Sequence, residues 1–145
     1  MGGLEIKLKV VLMKQTLNQI TLVVKDYDEA ITFYTKKLKF DLLEDTPLSS
    51  VKRWVVIRPP GGGGCSLLLA KAADEKQKAS IGNQTGGRVF LFLYTDDIDR
   101  DYQNLLSYNV RIKREPIIEK YGKVLVFEDL YGNLWDLIQI NYPNP

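Results

Sequence analysis

Histidine is missing from this chain altogether, and cysteine occurs once, at Cys65. A single thiol excludes an internal disulfide and a cysteine-built structural metal centre. With no imidazole to serve as its base, Cys65 is also poorly equipped as a nucleophile, and it reads as an inert thiol at the start of a strand. Long apolar runs are lacking too, which excludes a membrane-spanning helix. The first residues carry no apolar secretion signal with a small-residue cleavage site, and Ile6 stands where a myristoylation signal would have Ser or Thr. A cytoplasmic protein with no membrane partner is the expectation. Charge of one sign is not concentrated anywhere: 20 basic and 18 acidic residues are interspersed for a net charge of +2. No block is basic enough to track a nucleic-acid backbone, so nucleic acid is not an expected partner. Lys36, Lys37 and Lys39 sit at a helix end, where cations complement the helix dipole.

What the chain does have is a core and a repeat. It is 145 residues long and 45% hydrophobic, enough for one domain. Residues 20–24 read as a strand, with Asp26 or Asp28 as the N-cap of a helix in which Ala30, Phe33, Tyr34, Lys37 and Leu38 recur at three- and four-residue spacing as one stripe. Strands are expected at Phe40–Glu44, Arg53–Arg58 and Ser66–Ala70, with a turn at Thr46-Pro47. The order then recurs: a strand at Val89–Tyr94, a helix capped at Asp96-Asp97 and ended by Asn109, and strands at Val110–Lys113, Lys123–Phe127 and Leu134–Ile140. Asp26 and Asp97 are 71 residues apart, and Phe40 and Val110 are 70 apart. The pattern predicts two copies of a β-α-β-β-β unit, residues 17–71 and 88–145, in one α+β domain.

Residues 72–87 form the linker, polar and helix-friendly up to Ser80. Residues 1–16 are an N-terminal extension whose Leu4, Ile6, Leu8 and Val10 alternate like an edge strand. The glycines Gly61–Gly64 are not a phosphate cradle, because a P-loop needs Gly-Lys-Ser/Thr entering a helix and here Cys65-Ser66 enters a strand.

The segments "ITLVVKDYDEAITFYTKKLKF", "FLYTDDID" and "VFEDLYGNLWDLIQ" together resemble the vicinal oxygen chelate family, which includes glyoxalase I, extradiol dioxygenases and bleomycin-resistance proteins. Lys39 departs from the pattern, since many members carry Gly before the aromatic. The resemblance implies a curved mixed sheet around a cleft, a homodimer, and in metal-dependent members four side chains on a divalent ion. Those four positions fall on Gln19, Leu68, Phe90 and Asp136. Only Asp136 is an ordinary ligand, and a catalytic ion needs about three from His, Cys and carboxylate. The expectation is therefore no metal and no cofactor, with an all-oxygen site of Asp136 and Glu128 or Glu44 as an alternative.

Strand alternation assigns the faces. If Gln19 faces the cleft, so do Thr21, Ser66, Leu68, Ala70, Phe90, Phe92, Tyr94, Leu134, Asp136 and Ile138. Such a surface is apolar and aromatic with one carboxylate, as small-molecule sites commonly are. Asp136 is either a general base or counter-charge with a raised pKa, or a polar residue satisfied by Gln19 or Tyr94. Arg53 and Trp54 suit a planar or anionic ligand at the rim, with Tyr121 and Glu128 flanking the second module's hairpin. The leading expectation is a protein that binds a small, partly apolar molecule, in the manner of the bleomycin-resistance branch. The alternatives are a lyase, isomerase or dioxygenase with a nonstandard metal site or Asp136 as base, and an interaction protein that kept only the fold.

Overall fold

The structure, a computed structural model, describes residues 12–143. The edge strand expected over residues 4–10 lies outside them. The first module comprises β1 (Gln19–Val24), α1 (Tyr27–Thr32), β2 (Asp41–Pro47), β3 (Arg53–Arg58) and β4 (Ser66–Lys71). A short helix, α2 (Glu75–Ser80), occupies the linker. The second module comprises β5 (Val89–Tyr94), α3 (Ile98–Ser107), β6 (Ile112–Glu119), β7 (Gly122–Glu128) and β8 (Leu134–Ile140). Each module makes a four-stranded mixed sheet, ordered β1-β4-β3-β2 and β5-β8-β7-β6, in which the first and last strands run parallel. The α+β class and the duplicated order are as the repeat predicts; the two halves remain separate sheets.

Local chemistry sets the boundaries. Asp26 caps α1 by accepting the Glu29 amide at 2.8 Å, and Asp97 caps α3 by accepting the Arg100 amide at 3.0 Å. After α1 the chain makes a π-helical turn, Phe33–Lys37, and passes through Lys39 at φ 63°. Asn109 holds the equivalent place after α3 at φ 57°. Two expected boundaries shift. The turn placed at Thr46-Pro47 is instead strand, because β2 is an edge strand where the missing proline N–H costs no ladder bond. The chain turns at residues 48–52, closed by the Leu48 amide on the Lys52 carbonyl at 2.8 Å. The strand placed at Val110–Lys113 begins at Ile112 and continues to Glu119 through two irregularities in its pairing with β7.

The modules meet through their helix-bearing faces. Alternation turns Leu22, Val24, Val55, Ile57, Leu67 and Leu69 of the first sheet, and Leu125, Phe127, Trp135 and Leu137 of the second, into one buried cluster. Trp135 is its centre, 6.0 Å from the Tyr34 ring, 5.9 Å from Phe40 and stacked on Phe127 at 5.9 Å. Burying such side chains stabilises by roughly 2 kcal/mol each. Because the core faces turn toward each other, the opposite faces of the two sheets look away from one another. That placement governs everything about the site.

Candidate functional site

Cross-strand register defines two matching rows on the outward faces, since directly paired residues share a face. In the first sheet the row is Thr21, Leu68, Val56 and Glu44. In the second it is Phe92, Asp136, Val126 and Arg114. The predicted alternation is correct here: Thr21 is exposed while Leu22 and Val24 are fully buried, and Phe92 is 62% exposed while Trp135 is buried.

The structure collects Thr21, Arg53, Trp54 and Leu68 around one cavity of about 650 Å³, walled on its far side by the linker residues Ala72, Ala73 and Gln77. None of the second module's predicted residues reaches it. Arg53 lines this cavity with its charge already engaged: it grips Asp45 through Nε at 3.0 Å and Nη2 at 2.7 Å, bonds Asp28 at 2.9 Å, and lies over the Tyr27 ring. These carboxylates push the guanidinium pKa up, and the guanidinium in turn holds the Asp45 carboxyl below its usual pKa. The expected anion-pairing role for Arg53 is therefore corrected to a fixed wall, leaving Trp54 as the aromatic surface. Gln19 donates to Ser66 Oγ at 3.4 Å. Phe90 lies at an irregularity between Val89 and Leu91 and packs against the core cluster. Tyr94 lines a different cavity, between the modules. Tyr121 is exposed in the β6–β7 turn, and Glu128 accepts from Arg111 at 3.2 Å beside a smaller pocket of about 250 Å³.

Asp136 stands in an unusual setting. One carboxylate oxygen, Oδ1, is buried and has no hydrogen-bond partner. The satisfied-polar reading, with a bond from Gln19 or Tyr94, is overturned: Gln19 belongs to the other sheet and Tyr94 sits one row away, opposite Ile138. Burial raises the carboxyl pKa above its ordinary value, and Arg114 in the same row partly opposes the rise. Alternation misses Arg114 even if β6 is extended past Lys113, because the pairing with β7 is irregular between Ile112, opposite Phe127, and Arg114, opposite Val126. The buried polar group formed by Tyr34, Asp129 and Asn133 was missed as well, and no spacing announces it.

Within one chain the predicted positions do not assemble a divalent-ion site. Leu68 and Phe90 carry no donor, Gln19 is bonded to Ser66, and Glu44 and Glu128 are not brought to Asp136. Among the described residues no three His, Cys, Asp or Glu side chains come together.

Comparison with known proteins places these features. Residues 16–137 match the model of the Glyoxalase/Bleomycin resistance protein/Dioxygenase superfamily. An uncharacterized protein of Shewanella frigidimarina (strain NCIMB 400) is 58% identical over 134 residues, 92% of this chain and 99% of the relative. Among solved structures, UcmS2 superposes with TM-score 0.76 at 27% identity over 87% of this chain and 98% of that one. TnmS3, an antibiotic binding protein from Streptomyces sp. CB03234, superposes with TM-score 0.72 at 28% identity over 90% and 99%. No helix of the described residues is long and apolar enough to cross a membrane.

Proposed function

This chain belongs to the glyoxalase/bleomycin resistance protein/dioxygenase superfamily, and we propose that it binds a small, partly apolar molecule without the divalent ion of the metal-dependent members. The observation that carries this reading is the buried, unpartnered Oδ1 of Asp136 in a row with Phe92 and Val126. A buried acceptor left unpaired costs about 1–3 kcal/mol, and a donor or cation on a bound ligand removes that cost. TnmS3, similar in fold and in sequence, is an antibiotic binding protein.

The outward faces call for a second copy. Phe92 is 62% exposed, and Thr21, Trp54 and Leu68 line a cavity that the chain's own second sheet does not close. In a homodimer with the first sheet of one protomer facing the second sheet of its partner, Trp54 and Leu68 would share one site with the partner's Asp136 row. Proflavine, planar and cationic, is a suitable probe. Its fluorescence should change saturably on binding, and Asp136→Asn should weaken binding by about tenfold, the scale of one charge-assisted hydrogen bond. Absence of saturable binding, or equal binding by the variant, sinks the reading. A monomer by ultracentrifugation sinks the shared site alone.

The raised pKa of Asp136 favours a second reading, a metal-free general base in a lyase, isomerase or dioxygenase-like reaction. Turnover would then rise with pH through that value and vanish in Asp136→Asn.

A further inference from the structure

We propose that the junction between the modules is a second binding site, for an uncharged aromatic molecule, on the helix side of the sheets and away from the Asp136 row. A cavity of about 620 Å³ opens there between the end of α1 and the β3–β4 turn of the first module and β5 and α3 of the second. Volumes of roughly 300–1,000 Å³ hold small organic ligands.

The pseudo-twofold counterpart of this cavity shows why it exists. On the other side the β7–β8 turn, Asp129–Asn133, meets α1 and fills the space. The Tyr131 hydroxyl donates to Glu29 at 2.7 Å and lies 3.3 Å from the Asp26 backbone, and Asp129 accepts from Tyr34 at 2.6 Å. The corresponding β3–β4 turn, Pro59–Cys65, contains four glycines, Gly61–Gly64, all at positive φ. A Cβ built on Gly61, Gly63 or Gly64 would meet nothing within 4 Å. The third turn residue is Tyr131 in one module and Gly61 in the other, so the ring that plugs one junction has no equivalent in the second. The duplicated frame leaves a ring-sized space there.

The lining chooses the ligand. The back wall is Phe40, Leu105, Phe127 and Leu137, and Leu93 stands at its edge. Every charge at the mouth already has a partner. Arg100 holds Asp96 at 2.8 Å and Asp101 at 2.9 Å, and Lys39 holds the Tyr108 hydroxyl at 2.7 Å. An ionic ligand would break those pairs, whereas a neutral ring system would bury apolar surface against the two phenylalanines at no electrostatic cost. The site thus differs in chemistry from the outward face, where the unpaired group is a carboxylate.

N-phenyl-1-naphthylamine, neutral and fluorescent in apolar surroundings, tests the assignment on the intact protein. We expect saturable binding at one dye per chain. Leu93→Trp fills the cavity and should weaken binding by about tenfold or more, without lowering the melting temperature. Replacing Pro59–Cys65 by the sequence Asp-Leu-Tyr-Gly-Asn should do the same from the opposite wall and carries the test if the tryptophan variant does not fold. Trp54→Ala and Asp136→Asn should leave the affinity within about twofold, since neither residue lines this cavity. Absence of saturable binding by the wild type, binding that survives the cavity-filling change, or loss of binding in Asp136→Asn overturns the proposal. The last result would place the dye on the outward face and leave the proflavine reading standing.

Discussion

The two junctions between the modules occupy equivalent places in a duplicated frame and are closed by different means. At one, Asp129 is 5% exposed and its carboxylate accepts four hydrogen bonds, from Tyr34 Oη and from the Tyr131 amide, the Asn133 amide and Asn133 Nδ2. At the other, a turn of prolines and glycines brings no side chain of comparable size into the gap. The difference teaches that duplication fixes where the backbone goes, while the side chains of one short turn decide whether a junction is bolted or hollow. Removing the bolt should have the largest effect of any single change. Asp129→Ala leaves Tyr34 Oη and Asn133 buried without their acceptor, which predicts a loss of about 3–4 kcal/mol. Urea denaturation measures it, and a loss under about 1 kcal/mol would mean the network contributes little.

Glycines sharpen the same contrast. Gly82, in the linker, lies against the filled junction at φ 75°, and a Cβ there would stand 1.9 Å from the Tyr131 carbonyl oxygen. Gly63 has a similar φ of 81° but open space around it. Gly82→Ala therefore carries both a backbone clash and left-handed strain and should cost about 2–3 kcal/mol, against about 1 kcal/mol or less for Gly63→Ala. Equal costs, read from melting curves of the two variants, would show that the linker moves away from Tyr131 without penalty.

Much of this architecture was legible in the sequence. Asp26, a candidate cap alongside Asp28, and the pair Asp96-Asp97 announced both helix starts, and period-two alternation put Thr21 and Asp136 on the outward faces, because one face of each sheet must be buried. The chemistry was legible only in part. Alternation says which side of its own sheet a residue occupies and nothing about how two sheets are turned, so Gln19 and Asp136 were expected to meet and within one chain do not. Irregular pairing hid Arg114 and directed Phe90 toward the core. Arg53 looked available because Asp28 and Asp45 lie 25 and 8 residues away from it, and only the fold brings all three together.

The outward rows differ at one central position, Leu68 in the first sheet and Asp136 in the second. Burial raises the Asp136 pKa in the folded state, so folding favours the protonated form. The acid is tolerated below its ordinary value near 3.8, and the stability lost grows as pH rises through the raised folded value. Asp136→Asn should accordingly match the wild type near pH 4 and exceed it at pH 8 by about 1 kcal/mol, the lower end for an unpaired buried acceptor. Denaturation across that range checks the sign. A variant less stable than the wild type at pH 8 would show that Arg114 compensates the carboxylate.

The smallest expected effect separates Lys39 from Asn109, which follow the two helices at φ 63° and 57°. A lysine in the left-handed region costs about 1 kcal/mol relative to glycine, whereas asparagine tolerates it. Lys39 recovers part of that through Tyr108, whose hydroxyl accepts from Nζ at 2.7 Å and whose ring centroid lies 4.3 Å from it. Lys39→Gly should therefore stabilise by less than about 1 kcal/mol, and by close to that figure in a Tyr108→Ala background where both the hydroxyl and the ring are gone. Lys39 also holds the Tyr108 phenol below its usual pKa, chiefly through that hydrogen bond. An upward shift of the Tyr108 titration in Lys39→Gly, followed by ultraviolet difference spectra, would report the loss of the contact independently of stability. If stability were the same in both backgrounds, the bond to Tyr108 would offset none of the backbone strain, and the lysine would be held there for some other reason.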